Sequence, residues 1–193
     1  MDVLSGIFSA FGLSASAGLN AYIPLLVVSL LGRYTSLIEL NSPWDTLTNG
    51  WIIGLLVALS AIEFFADKAP IVNHLNDAIQ TFVRPAAGAI AFAASTQVID
   101  GINPVVALAA GLLIAGTVHV AKAGVMRPAV TGVSGGTANV AVGLVEDVAA
   151  ISVSLIAVLI PLIIGIVFIP LLALVIWMLW RRANRNAVQP TTS

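Results

Sequence analysis

The 193-residue chain has no cysteine, which excludes disulfides, thiolate metal sites and cysteine nucleophiles. Charge is nearly as scarce. Asp, Glu, Lys and Arg make up 9% of the residues, against roughly a quarter in soluble domains. The formal net charge of −1 gives no basic footprint for nucleic acid. Hydrophobic residues fill the space instead, at 59% with a mean hydropathy of +1.05. So few charges cannot cover a water-facing surface. The apolar stretches are continuous and not alternating, which predicts an all-α, polytopic transmembrane bundle and not an outer-membrane barrel. The chain opens Met1-Asp2 without a basic segment, and Gly12, Gly18, Asn20 and Pro24 interrupt its first apolar run, unlike a signal peptide.

About six spans are expected, at residues 4–31, 50–66, 85–99 and 103–121, then one from around 136–141, and one from 162 to 180. Residues 148–180 carry no charge, and as one helix they would reach about 50 Å against a hydrocarbon core of about 30 Å. A division near Pro161 resolves this. Lys68, Arg84, Lys122, Arg127, Arg181, Arg182 and Arg185 then fall on one side and Arg33 on the other. The positive-inside rule gives N-in, C-in, with a single domain over 1–181 and a cytoplasmic tail at 182–193. Trp177 and Trp180 beside Arg181 suit an interfacial anchor. Between spans two and three, Ile71, Leu75, Ile79 and Phe82 share a helical face while His74, Asn76 and Asp77 point elsewhere. That pattern predicts an amphipathic helix over 68–83 along the interface.

Two stretches nearly repeat. Gly54-Leu55-Leu56-Val57-Ala58 recurs as Gly111-Leu112-Leu113-Ile114-Ala115. Each is followed by an ionisable residue (Glu63, His119), a lysine (Lys68, Lys122) and an Arg-Pro pair (Arg84-Pro85, Arg127-Pro128). The pattern suggests helical hairpins repeated over 51–100 and 103–160, as transporters often contain, or chance in a Leu/Ala/Gly-rich chain. Each Arg-Pro pair suits a helix start, where a guanidinium beside free N–H groups forms an anion site; the plainer alternative is arginine snorkelling to lipid phosphates.

Acidic residues at membrane depth usually face the bundle interior and a partner. Glu63, Asp67, Glu146 and Asp147 are of this kind, with Lys68, Lys122, His119 and the arginines as partners, in either an ion-coupling site or a structural network. Ser5, Ser9, Gly12, Ser16 and Asn20 line one face of the first span, and Ser134–Asn139 has a similar character. Such segments pack closely or break a helix around a cavity. Catalytic signatures are thin. His74 and Asp77 near Glu63 and Asp67 lack any established metal-ligand spacing, and no nucleophile elbow, phosphate loop or zinc-protease motif occurs. No cofactor is expected.

Gly18-Leu19-Asn20-Ala21-Tyr22-Ile23-Pro24, Glu63-Phe64-Phe65-Ala66-Asp67-Lys68, Arg84-Pro85-Ala86-Ala87-Gly88 and Glu146-Asp147-Val148 together resemble a widespread bacterial family of integral membrane proteins known as a domain of unknown function. The resemblance implies a bacterial inner-membrane protein and assigns no substrate.

The functional expectation is a small transporter, channel or translocator for an anionic, phosphate-bearing ligand or lipid. Arg84, Arg127, Lys68, Lys122, Asn20 and Asn139 would bind the ligand, and Glu63, Asp67, His119, Glu146 and Asp147 would carry protons or couple ions. The partners expected are the lipid bilayer and a second copy of the chain, because so short a chain encloses only a narrow path alone. The alternatives are a non-catalytic membrane scaffold and, third, a lipid-phosphate enzyme.

Overall fold

The computed structural model describes residues 3–66, 70–96, 102–126 and 139–186. Among these residues the protein is all-α, with seven α-helices and no strand: α1 (Val3–Leu19), α2 (Tyr22–Tyr34), α3 (Gly50–Ala66), α4 (Pro70–Thr96), α5 (Pro104–Ala121), α6 (Asn139–Leu159) and α7 (Pro161–Asn186). Local chemistry sets several boundaries. The Asn103 side chain accepts the backbone N–H of Val105 while Pro104 opens the first turn, where no donor is needed, so α5 starts there. Pro161 starts α7 directly after α6, which places the division of the uncharged stretch where length required it.

The small-residue helix α1 is the centre of the packing. Gly12 faces Ala157 and Ile164, the Ser16 hydroxyl donates to Ala150 O at 2.8 Å and meets Ser154, and Asn20 meets Asp147. This stripe therefore runs antiparallel along α6. On another face, the Ser14 hydroxyl donates to Gly111 O at 2.7 Å, and a Cβ on Gly18 would lie 2.6 Å from Ala115 O, so α1 runs parallel to α5. Helices α4 and α5 touch through glycine on both sides: a Cβ on Gly88 would collide with Ala115, and one on Gly111 with the Gly88 carbonyl and Phe92. Small residues allow this close approach.

Several sequence expectations are corrected. Residues 4–31 are not one helix. The chain breaks at Asn20-Ala21, and beyond α2 the residues Ser36–Glu39 return to line a cavity of about 280 Å³ with Ser9, Ala94 and Ser95. Successive helices thus alternate in direction, and Val3 and the end of α7 lie at opposite ends of the bundle. N-in, C-in does not hold, because the break at Asn20 adds one reversal. The described parts of the expected interfacial helix over 68–83 and of the span over 85–99 form a single helix, α4, with Pro85 inside it. The polar side of α4 is the buried one: Gln80 and Arg84 are 2% and 1% exposed, whereas Ile79 and Phe82 are 51% and 79% exposed. Arg84-Pro85 is therefore not a helix start. The repeat is not shown: the recurring pentapeptides sit in different surroundings, since Gly111 is tightly packed and Gly54 has no described heavy atom within 4 Å of a Cβ.

Two segments, Pro104–Gly124 and Ala141–Leu159, are long and apolar enough to cross a membrane by length and composition. Helices α1, α2 and α3 are apolar but shorter. Large apolar side chains such as Leu55, Ile62, Phe65, Leu113 and Ile166 face outward.

Candidate functional site: two buried ion pairs at a helix break

Ionisable side chains from α3, α4, α5 and α6 converge near the end of the bundle where α1 stops. Arg84 on α4 points inward because Asn76, Gln80 and Arg84 follow one another at intervals of four on its buried face. Its Nη2 donates to Glu63 Oε1 of α3 at 2.8 Å, and both residues are 1% exposed. Its Nη1 lies 3.3 Å from His119 Nδ1 of α5, and His119 Nε2 lies 3.3 Å from the Thr81 hydroxyl. Among the described residues, the buried Arg84 Nε meets no acceptor. Tyr22, in the first turn of α2, hydrogen-bonds Gln80 and lies within electrostatic reach of Glu63 and Arg84.

One turn beyond His119 on α5, Lys122 forms the second pair. Its Nζ is 2.7 Å from Glu146 Oε2 of α6, and the two are 2% and 5% exposed. The chain turns π-helical over Lys122–Met126, a distortion frequent at functional sites. The same ammonium donates to Leu19 O at 2.9 Å, satisfying a terminal carbonyl of α1. Asn20 completes the junction. Its Oδ1 accepts from the backbone N–H groups of Tyr22 and Ile23, both at 3.1 Å, so it caps α2, while its Nδ2 donates to Asp147 Oδ1 at 2.9 Å. The interruption of the first helix is thus closed by side chains of α5 and α6.

Among the expected site residues, Glu63, Arg84 and His119 form one group and Asn20, Lys122, Glu146 and Asp147 another, linked through α5. Arg84 is neither at a helix N-terminus nor snorkelling outward. Asp67, Lys68 and Arg127 lie outside the described residues, as does the segment 134–138, and Asn139 opens α6. Among the described residues, no three metal-ligating side chains gather at one point. Tyr22, Gln80 and Thr81 are additions that sequence reading missed. The spacing of Asn76, Gln80 and Arg84 was the signal that could have found Gln80.

An apolar cleft of about 430 Å³ opens beside this junction between α2, α3 and α6, lined by Ile23, Leu26, Phe64, Leu144 and Val148 and ending on Asn20 and Asp147. Comparisons with curated proteins and with solved structures find no match. The match to a protein family runs from residue 7 to residue 181, and so spans both ion pairs and the break at Asn20. The chain belongs to the family described as Domain of unknown function (DUF4126).

Proposed function

We propose that the chain is a small multi-pass transporter or translocator of the bacterial inner membrane, acting on an anionic, phosphate-bearing ligand or lipid. One observation carries the reading: the buried Arg84 guanidinium is held by one carboxylate and one imidazole and keeps an Nε–H with no acceptor among the described residues. Buried polar groups in native structures are nearly always paired, so an orphaned donor on a buried cation calls for a ligand. Guanidinium groups favour phosphate and carboxylate alike.

The fold supports this reading. At 1.5 Å per residue, the 13-residue α2 reaches about 20 Å, short of a hydrocarbon core of about 30 Å. With α1 it forms a re-entrant hairpin whose tip, at Asn20, lies within the membrane. Non-helical backbone at that depth is tolerated where protein buries it, and helix breaks of this kind form ion and substrate sites in transporters. An incoming anion takes Arg84 Nε and Nη2 in place of Glu63, and a proton on Glu63 neutralises the carboxylate it displaces. Lys122 with Glu146 offers the same exchange at the hairpin tip. A homo-oligomer would complete the path.

The test is native mass spectrometry of protein released from nanodiscs containing phosphatidylglycerol, with and without inorganic phosphate, beside Arg84→Gln and Lys122→Gln variants. A defined anionic adduct on the wild type, lost in Arg84→Gln, is expected. A lipid adduct and a phosphate adduct differ in mass and so separate the two sources.

A second reading, a non-catalytic scaffold, is favoured by the fact that Glu63–Arg84 clamps α3 to α4 while Lys122 clamps α5 to α6 and α1. It predicts no adduct and a fixed oligomer in every variant.

A further inference from the structure

The hydrogen bonds of His119 identify where its mobile proton sits. Arginine has only donors, so the 3.3 Å contact between Arg84 Nη1 and His119 Nδ1 requires a bare, accepting Nδ1. A neutral imidazole with a bare Nδ1 carries its hydrogen on Nε2, which then donates to the Thr81 hydroxyl at 3.3 Å. The exposed Thr81 gives this end of the ring a route outward, while the Nδ1 end is closed by Arg84 and buried.

From this geometry we infer that His119 Nδ1 holds either Arg84 or a proton and never both, so that His119 is a proton-binding site whose occupation releases Arg84. The inference deepens the transport reading and rests on it for its role in coupling, though not for its test. A proton taken up at Nδ1 uses the lone pair that Arg84 Nη1 now occupies. The Nη1–H···Nδ1 bond breaks, no covalent bond between heavy atoms changes, and the imidazolium retains Nε2–H toward Thr81. Two cations then stand side by side, with Glu63 paired to one of them. Arg84 must withdraw toward Glu63 or toward an anion at its Nε.

The charged groups around the ring come from several helices. Arg84 lies on α4 and Glu63, behind it, on α3. Lys122 lies one turn further along, just past the end of α5, and Glu146 of α6 is paired with it. Tyr22 of α2 reaches Glu63 and Arg84. Helix α1 has no ionisable side chain, and α7 has none before Arg181.

The chain has only two histidines, so His74→Gln leaves His119 as the sole imidazole. The experiment is ¹⁵N NMR of histidine- and arginine-labelled His74→Gln protein in nanodiscs, titrated downward from neutral pH. The expected result is one bare nitrogen, Nδ1, and one protonated nitrogen, Nε2, at neutral pH. Loss of the bare-nitrogen signal should coincide with a shift of the Arg84 side-chain resonance, which Arg84→Lys identifies by its absence. In His119→Asn, whose amide oxygen can accept from Arg84 but takes no proton, the Arg84 resonance should not move over the same range. A ring protonated at Nδ1 at neutral pH, or an Arg84 signal unmoved as the ring protonates, overturns the inference. Neither readout requires a transported ligand, so transport can fail while the latch stands, and the reverse.

Discussion

Each residue of the buried network has a separable role. Removing one member of a buried pair strands the other charge, which typically costs about 3–5 kcal/mol, whereas replacing both by apolar groups of similar size is often neutral or stabilising. Glu63→Leu and Arg84→Met should each lower the unfolding midpoint in detergent, and the double variant should recover most of the loss. That double variant also separates the two readings: the transporter loses its anionic adduct in it, while a scaffold keeps its oligomer unchanged. At the hairpin tip, Asn20→Ala removes the cap of α2, a change worth about 0.5–2 kcal/mol, and removes the hydrogen bond to Asp147 at the same time. Asn20→Ser keeps a capping oxygen but not the reach to Asp147, so its unfolding midpoint should fall between Asn20→Ala and wild type. The sequence marked Glu63, His119 and Glu146 as costly at depth, and they are buried. It could not show that Glu63 meets Arg84, because partners 21 residues apart on different helices follow from how the helices dock and not from local spacing.

At the scale of the helix, the α4–α5 contact sets the height at which Arg84 meets His119. Gly111→Ala would push a methyl into the Gly88 carbonyl and Phe92, and overpacking of this kind costs about 1–3 kcal/mol. Gly54→Ala, at the matching place in the other pentapeptide, meets open space and should gain roughly 0.5–1 kcal/mol from helix propensity. Paired thermal melts of these two variants should therefore move in opposite directions. Some boundaries were legible beforehand: α3 at 50–66, the start of α5 near residue 103, and the division near Pro161. The orientation of α4 was not. A helix lying on the interface keeps its polar face toward water, whereas here Ile79 and Phe82 face out while Asn76, Gln80 and Arg84 are buried in the bundle. The stripe Gly12-Ser16-Asn20 was readable as a contact face, though not as the one that meets α6.

For the whole molecule, the extra reversal at Asn20 puts the start of α1 at the same end as the loop after α2, opposite the end of α7. Because the chain has no native cysteine, single cysteines report this cleanly. Val3→Cys and Ser36→Cys should react with a membrane-impermeant maleimide from the same side, and Arg182→Cys only from the other. Labelling of all three from one side would remove the re-entrant hairpin and with it the site at its tip. Among the described residues, Arg33 lies beside Thr48 and Gly50 at one end, and Lys122 and Arg84 lie toward the other, where Trp180 packs near Pro85 and Val120.

The hydrogen bonds that close the break also carry an order of events. Lys122 and Asp147 follow their partners at the tip by 103 and 127 residues. At synthesis rates of about 5–20 residues per second, the tip waits on the order of 5–25 s for the side chains that complete it. Until Lys122 is made the Leu19 carbonyl at the tip lacks its donor, and until α6 is made the Asn20 side-chain amide lacks Asp147. A nascent chain ending before α6 should therefore be retained by the insertion machinery or degraded, and one ending after Leu159 should be released.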